Sequence, residues 1–244
     1  MTLIYGHRGA SADAPENTLR AFALAADQQA DGVELDVQLT RDGRLVVFHD
    51  ETLERVTGEV GRLCDRTWEE LRRLPIRLPG ALPEDGIPLL SEVMTLLHDR
   101  GLQVNIELKN SVILYDRLEE RCLEAVARAG MEKRTLYSSF NHVSMVRLKR
   151  LSPSARCGLL YDCTMVEPWR YAAGLGMDAL HPHYSELQQA GEVSAAHAAG
   201  LEVNPWTVNG TEALGQIIRL GADRIITNEP GKARALLMAE QDDL

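Results

Sequence analysis

The stretch Leu90-Ser91-Glu92-Val93-Met94-Thr95-Leu96-Leu97-His98-Asp99-Arg100-Gly101-Leu102-Gln103-Val104-Asn105-Ile106-Glu107-Leu108 decides the architecture. Leu90–Arg100 has a helical pattern, and Gly101 follows it at the position where a helix end favours glycine. Leu102–Leu108 is then a β-rich run. The same unit recurs in both directions. Strands are predicted at Leu3–Gly6, Asp31–Asp36, Leu102–Leu108, Thr135–Ser139, Arg156–Tyr161, Ala179–His183, Leu201–Val208 and Arg224–Thr227. Helices are predicted at about Glu16–Gln29, Leu90–Arg100, Tyr115–Ala129, Asn141–Leu151, Met165–Ala173, Leu187–Ala199, Thr211–Leu220 and Gly231–Ala239. Eight strand–helix units in 244 residues imply an α/β fold, a parallel sheet closed into a (β/α)8 TIM barrel. An open doubly wound sheet is the alternative. The expectation is one barrel domain over 1–244.

One connection departs from the pattern. The second strand continues through Val37-Gln38-Leu39-Thr40, and a further apolar run, Leu45-Val46-Val47-Phe48, follows Asp42-Gly43. Asp-Gly between two apolar runs signals a hairpin. With Asp42 and Gly43 as a two-residue loop, Asp36 lies opposite His49, and a bulge shifts this by one residue. Residues 50–88, polar and rich in Pro and Gly with a short helix near Trp68–Leu74, are too long for a plain loop. They are expected to form a small insertion over the barrel mouth, either a substrate-selecting cap or a spacer.

The polar residues near the strand ends carry the chemistry. Gly6-His7-Arg8-Gly9 ends the first strand, where barrel enzymes keep their active sites. Glu34 and Asp36 are two apart on the second strand, so both project to one face while Val33, Leu35 and Val37 project to the other. A strand inside a barrel has no solvated edge for two carboxylates, so a cation is the better account of them. Oxygen donors favour Mg2+ or Ca2+. Glu107 and Lys109 share a face at the end of the third barrel strand, and the hairpin returns His49 and Asp50 to the same end. Each piece alone has a bland reading, such as a structural histidine or a surface ion pair. Their conjunction at neighbouring strand ends points to a site for a phosphate ester.

Composition limits the partners. Lys and Arg number 26 against 36 Asp and Glu, a net charge of −10, which argues against nucleic acid or an anionic membrane as the main partner. An anionic substrate then needs a local cation. Cys64, Cys122, Cys157 and Cys163 form no C-x-x-C pair, so free thiols in a reducing compartment are expected. Met1-Thr2-Leu3-Ile4-Tyr5 carries no basic leader and no stretch approaches a membrane span, so a cytoplasmic protein without stable membrane association is expected. A homodimer is the base-rate expectation.

His7-Arg8-Gly9, Pro15-Glu16-Asn17-Thr18, Glu34-Leu35-Asp36-Val37, Val47-Phe48-His49-Asp50, Asn105-Ile106-Glu107-Leu108-Lys109, Ser138-Ser139-Phe140 and Trp206-Thr207-Val208-Asn209 occur in this order over nearly the whole chain. In these pieces the sequence resembles the glycerophosphodiester phosphodiesterase family, in its cytosolic bacterial type. The resemblance implies one divalent cation, Mg2+ or Ca2+, on Glu34, Asp36 and Glu107, and an acid/base pair in His7 and His49. It implies phosphate contacts from Arg8 and Lys109, a lesser substrate contact from Asn17, and a pocket-lining Trp206 near the alcohol. The implied substrates are small glycerophosphodiesters, cleaved to sn-glycerol 3-phosphate and choline, ethanolamine, glycerol or a similar alcohol. The nucleophile is water or the substrate's own glycerol 2-hydroxyl. Asn228 departs from the family, where many members have Asp after the Thr, and it is expected to be peripheral to the site. Other readings are a related barrel phosphodiesterase of lysophospholipid or phosphoinositide head groups, and a non-catalytic phosphate-binding module. His183 is expected at the rim or in the core, and Tyr137 and Phe140 in packing.

Overall fold

A computed structural model describes residues 2–187 and 191–242. The sheet alternates with helices along the chain. Its strands are β1 (Leu3–His7), β2 (Gly32–Leu39), β3 (Leu45–Val47), β4 (Gln103–Leu108), β5 (Thr135–Ser139), β6 (Arg156–Tyr161), β7 (Ala179–Pro182), β8 (Glu202–Val203) and β9 (Arg224–Thr227). The parallel order is β8-β7-β6-β5-β4-β2-β1-β9, with β3 paired antiparallel to β2 outside that series. The ring closes between its two ends through backbone hydrogen bonds: Asp223 N donates to Val203 O, Ile226 N to Pro205 O and Val208 N to Ile226 O. The result is a nearly closed barrel of eight parallel strands.

The helices are α1 (Leu19–Asp27), α2 (Glu54–Thr57), α3 (Trp68–Leu71), α4 (Leu90–Asp99), α5 (Leu118–Arg128), α6 (His142–Leu151), α7 (Pro168–Gly174), α8 (Glu192–Ala198), α9 (Thr211–Leu220) and α10 (Pro230–Asp242), of which α2 and α3 belong to residues 50–88. Local chemistry sets several starts. The Thr18 hydroxyl accepts from Ala21 N, so α1 begins at Leu19 rather than Glu16. The Asn141 side chain caps α6, and Pro168 opens α7 at the first helical position. The start of the predicted Leu187–Ala199 helix includes residues 188–190, outside the described residues.

Strand parity places the core. Val33, Leu35 and Val37 point from β2 into the apolar layer under the helices, with Val93, Leu97 and Ile106 in the same cluster. Residues 50–88 carry their own apolar cluster, in which Leu53, Val56, Leu63 and Leu71 pack with Val46 and Phe48 of the hairpin.

Two expectations need correction. The hairpin register is shifted by one residue: Val37 pairs with Val47 and Leu39 with Leu45, so Phe48, not His49, meets Asp36. The cause is a three-residue loop, Arg41-Asp42-Gly43. Gly43 N donates to Thr40 O, Gly43 has φ +73°, and Thr40 N donates to Arg44 O. The strand predicted at Leu201–Val208 is regular only at Glu202–Val203. Pro205 has no N–H for a ladder, and pairing with β7 resumes as a bridge between His183 and Trp206. All four cysteines are unpaired. No helix among the described residues is long and apolar enough to cross a membrane.

Candidate active site

The turn after β1 brings Arg8 over the strand ends. Arg8 has φ +55° and Gly9 φ +87°, and a Cβ at Gly9 would meet the Ala21 carbonyl carbon at 2.6 Å, so only glycine fits there. A left-handed arginine is costly backbone of the kind held at functional sites. It is fixed by Arg8 N donating to Glu34 O (2.9 Å) and to Glu34 Oε2 (3.1 Å). The guanidinium then reaches Glu16 (Nη1–Oε1 2.9 Å) and Asp36 (Nε–Oδ2 3.3 Å).

Glu34, Asp36 and Glu107 converge, with one donor oxygen from each within 4.8 Å of the others. Lys109 Nζ sits 3.0 Å from Glu107 Oε1, and Asn17 Nδ2 donates to Asp36 Oδ2 at 2.8 Å. Burial pushes Glu34 well above the usual carboxylate range, helped by the charges of Asp36 and Glu107. Burial, with the charge of Asp36, raises Glu107 to about 7 against the pull of Lys109. Burial alone would raise Asp36 too, but Arg8, His49, Lys109 and Asn17 hold it well below the ordinary range. Asp36 Oδ1 is buried without a hydrogen-bond partner. An orphaned carboxylate oxygen beside two acids pushed toward neutrality is an all-oxygen set that fits a hard divalent cation.

The two histidines flank this cluster. His7 Nε2 lies 3.9 Å from Glu34 Oε2, and its Nδ1 donates to Asn228 Oδ1 at 2.7 Å. Burial, then the charge of Arg8, lowers His7 to about 4. His49 Nδ1 is 2.6 Å from Asp50 Oδ1. Burial would raise Asp50, but hydrogen bonds from Arg55 and His49 lower it, so the ionised carboxylate only accepts and His49 carries its proton on Nδ1. His49 reaches the site because the chain bends after β3. The Gln38 amide, itself buried, donates to the carbonyls of Phe48 (2.8 Å), His49 (3.2 Å) and Asp50 (2.8 Å), and accepts from the Tyr115 hydroxyl at 2.9 Å.

These groups meet at a cavity of about 240 Å³. Its polar lining is His7, Arg8, Glu34, His49, Asn105 and Glu107, and its apolar lining is Phe140, Leu160, Trp206 and Ile226. Trp206 is fixed by Nε1 donating to His181 O at 2.9 Å and by edge-on contact with Phe140, 5.5 Å between ring centres. Larger clefts of about 460 and 550 Å³ lie elsewhere on the surface, and no histidine lines either.

The structure therefore brings together His7, His49, Glu34, Asp36, Glu107, Arg8 and Lys109. Asn17 touches Asp36 from outside the cavity lining, and Trp206 lines the apolar wall. His183 stacks edge-on to Trp206 at 5.3 Å and does not line the cavity. Asn228 is not peripheral: β9 lies beside β1, so the residue after Thr227 reaches the His7 ring. Phe140 is a cavity wall as well as a packing residue. Asn105, Leu160 and Ile226 were missed, and only their alternation at strand ends could have found them.

The comparisons with known proteins agree with this geometry. The model of the glycerophosphoryl diester phosphodiesterase family matches residues 7–232. A glycerophosphodiester phosphodiesterase of Caldanaerobacter subterraneus is 42% identical over 231 residues, covering 94% of this chain and 95% of that protein. One of Bacillus altitudinis is 40% identical over 238 residues, covering 96% and 97%. The solved structure of an Oleispira antarctica phosphodiesterase in complex with the product sn-glycerol-3-phosphate superposes with a TM-score of 0.84 at 29% identity, covering 97% of this chain and 96% of that one. With a family match that runs from His7 through the loop holding Asn228, and relatives aligned over almost their whole length, the chain belongs to the glycerophosphoryl diester phosphodiesterase family.

Proposed function

We propose that the protein hydrolyses small glycerophosphodiesters to sn-glycerol 3-phosphate and an alcohol, using a divalent cation and two histidines. The observation that carries this reading is the cavity lined by Glu34, Glu107, Arg8, two ring-oriented histidines and an apolar set, with Asp36 converging on the two glutamates. Glu34, Asp36 and Glu107 would hold the cation, Mg2+ or Ca2+. When bound, it supplies Lewis acidity at a phosphoryl oxygen. Arg8 and Lys109 stabilise negative charge on the phosphoryl oxygens.

Each histidine has its Nδ1 tied to an acceptor, Asn228 for His7 and Asp50 for His49, which leaves Nε2 to face the substrate. One histidine, neutral, removes a proton from the attacking hydroxyl or water through Nε2, and the other, as imidazolium with both ring nitrogens protonated, gives its Nε2 proton to the departing alcohol. The wall of Phe140, Leu160 and Trp206 receives the alcohol portion and excludes water.

Product identity tests the reading. Phosphorus NMR of a glycerophosphocholine digest is expected to show sn-glycerol 3-phosphate accumulating with free choline. Phosphocholine and glycerol as products would contradict it, because the other P–O bond would have been cut.

A further inference from the structure

We propose that Arg55 is a positioning residue, holding His49 and Arg8 in one rigid frame from outside the barrel. The inference rests on the roles proposed above for those two residues.

Arg55 lies in α2, the first helix of residues 50–88. Its guanidinium grips two carboxylates at once. Nε donates to Asp50 Oδ2 at 2.6 Å and Nη2 to Asp50 Oδ1 at 3.0 Å. Nη2 also donates to Glu16 Oε1 at 2.7 Å and Nη1 to Glu16 Oε2 at 2.9 Å. Each carboxylate passes the contact inward: Asp50 Oδ1 accepts from His49 Nδ1 at 2.6 Å, and Glu16 Oε1 accepts from Arg8 Nη1 at 2.9 Å. The path His49–Asp50–Arg55–Glu16–Arg8 thus joins the end of the hairpin to the turn after β1, two elements that carry opposite parts of the proposed chemistry.

The residue type fits the task. A planar guanidinium presents a fork of donors that serves two carboxylates in fixed directions, whereas an ammonium is a point charge that does not fix them. Without it, Asp50 and Glu16 repel and turn, and the His49 ring and the Arg8 fork lose their outer stops. Displacement of a reacting group by about 1 Å costs on the order of 10²-fold in rate. The side chain of Arg55 is 45% exposed, so its loss opens no core cavity. Leu53 and Val56 anchor α2 in the separate apolar cluster, which keeps the brace in place. This gives residues 50–88 a task in catalysis distinct from selecting substrate.

The test uses Arg55→Ala, Arg55→Lys, and Arg55→Ala in a Glu16→Gln/Asp50→Asn background, with kinetics on glycerophosphocholine and 15N NMR of the His49 ring. Arg55→Ala is expected to lower kcat about 10–100-fold with the melting temperature nearly unchanged, and Arg55→Lys to recover only part of the loss. In the double-variant background the same change is expected to cost less than about threefold more, since groups on one path are not additive. The His49 ring, protonated on Nδ1 in the wild type, is expected to show mixed tautomers in Arg55→Ala. A kcat loss below about tenfold, losses that multiply in the double-variant background, or an unchanged His49 tautomer would overturn the proposal. A wild-type protein that leaves glycerophosphocholine intact would count against the proposed function instead, and the substrate-free tautomer measurement would still decide the brace.

Discussion

His49→Ala is expected to lower kcat for glycerophosphocholine by about 10²–10⁴-fold, the range of a lost general acid or base. The ring lies on the cavity wall with its side chain 30% exposed, and it is held by the 2.6 Å bond to Asp50. It supports no part of the apolar core, so the variant is expected to melt near the wild-type temperature and still bind cation. Steady-state kinetics and a thermal melt of the same preparation check both statements. A kcat loss below about tenfold in folded protein would remove His49 from the proton transfers.

The second large effect concerns the carboxylate cluster. Saturating Mg2+ or Ca2+ is expected to raise the melting temperature of metal-stripped protein by roughly 5–10 °C. This follows from a stabilisation of about 2.7 kcal/mol at a hundredfold excess over Kd and a few degrees per kcal/mol at this chain length. Asp36→Asn is expected to abolish the gain, because it removes the charge from the one acid held ionised in the absence of cation. The gain is also expected to grow with pH. Glu34 and Glu107 are raised above their unfolded values, so protonation stabilises the metal-free fold, and that stability is lost as pH rises through their folded range, about 7 for Glu107. The cation needs the ionised forms, so its binding strengthens over the same interval. Melts at pH 6 and 8 read this directly. An equal gain at both, or a full gain in Asp36→Asn, would place the cation elsewhere.

Much of this was legible in the sequence. Strand parity put Glu34 and Asp36 on one face, and the eight repeated units gave the barrel and the end at which His7, Glu107 and Lys109 gather. The hairpin was located by Asp42-Gly43, but that pair does not distinguish a two-residue from a three-residue loop, and the register slipped by one. His49 still reaches the site, through a bend held by Gln38, a residue whose long-range role leaves no local pattern. Asn228 reads as peripheral from the sequence because nothing in sequence separation shows that β9 closes against β1. The link between Arg55 and Glu16 has no sequence signal either, since the two are 39 residues apart and meet only through tertiary contacts.

The most direct measurement is release of sn-glycerol 3-phosphate from glycerophosphocholine by metal-stripped protein, before and after addition of Mg2+ or Ca2+. The account predicts negligible release without cation and restored turnover with it. Equal turnover with and without cation, or none with either ion in well-folded protein, would contradict it.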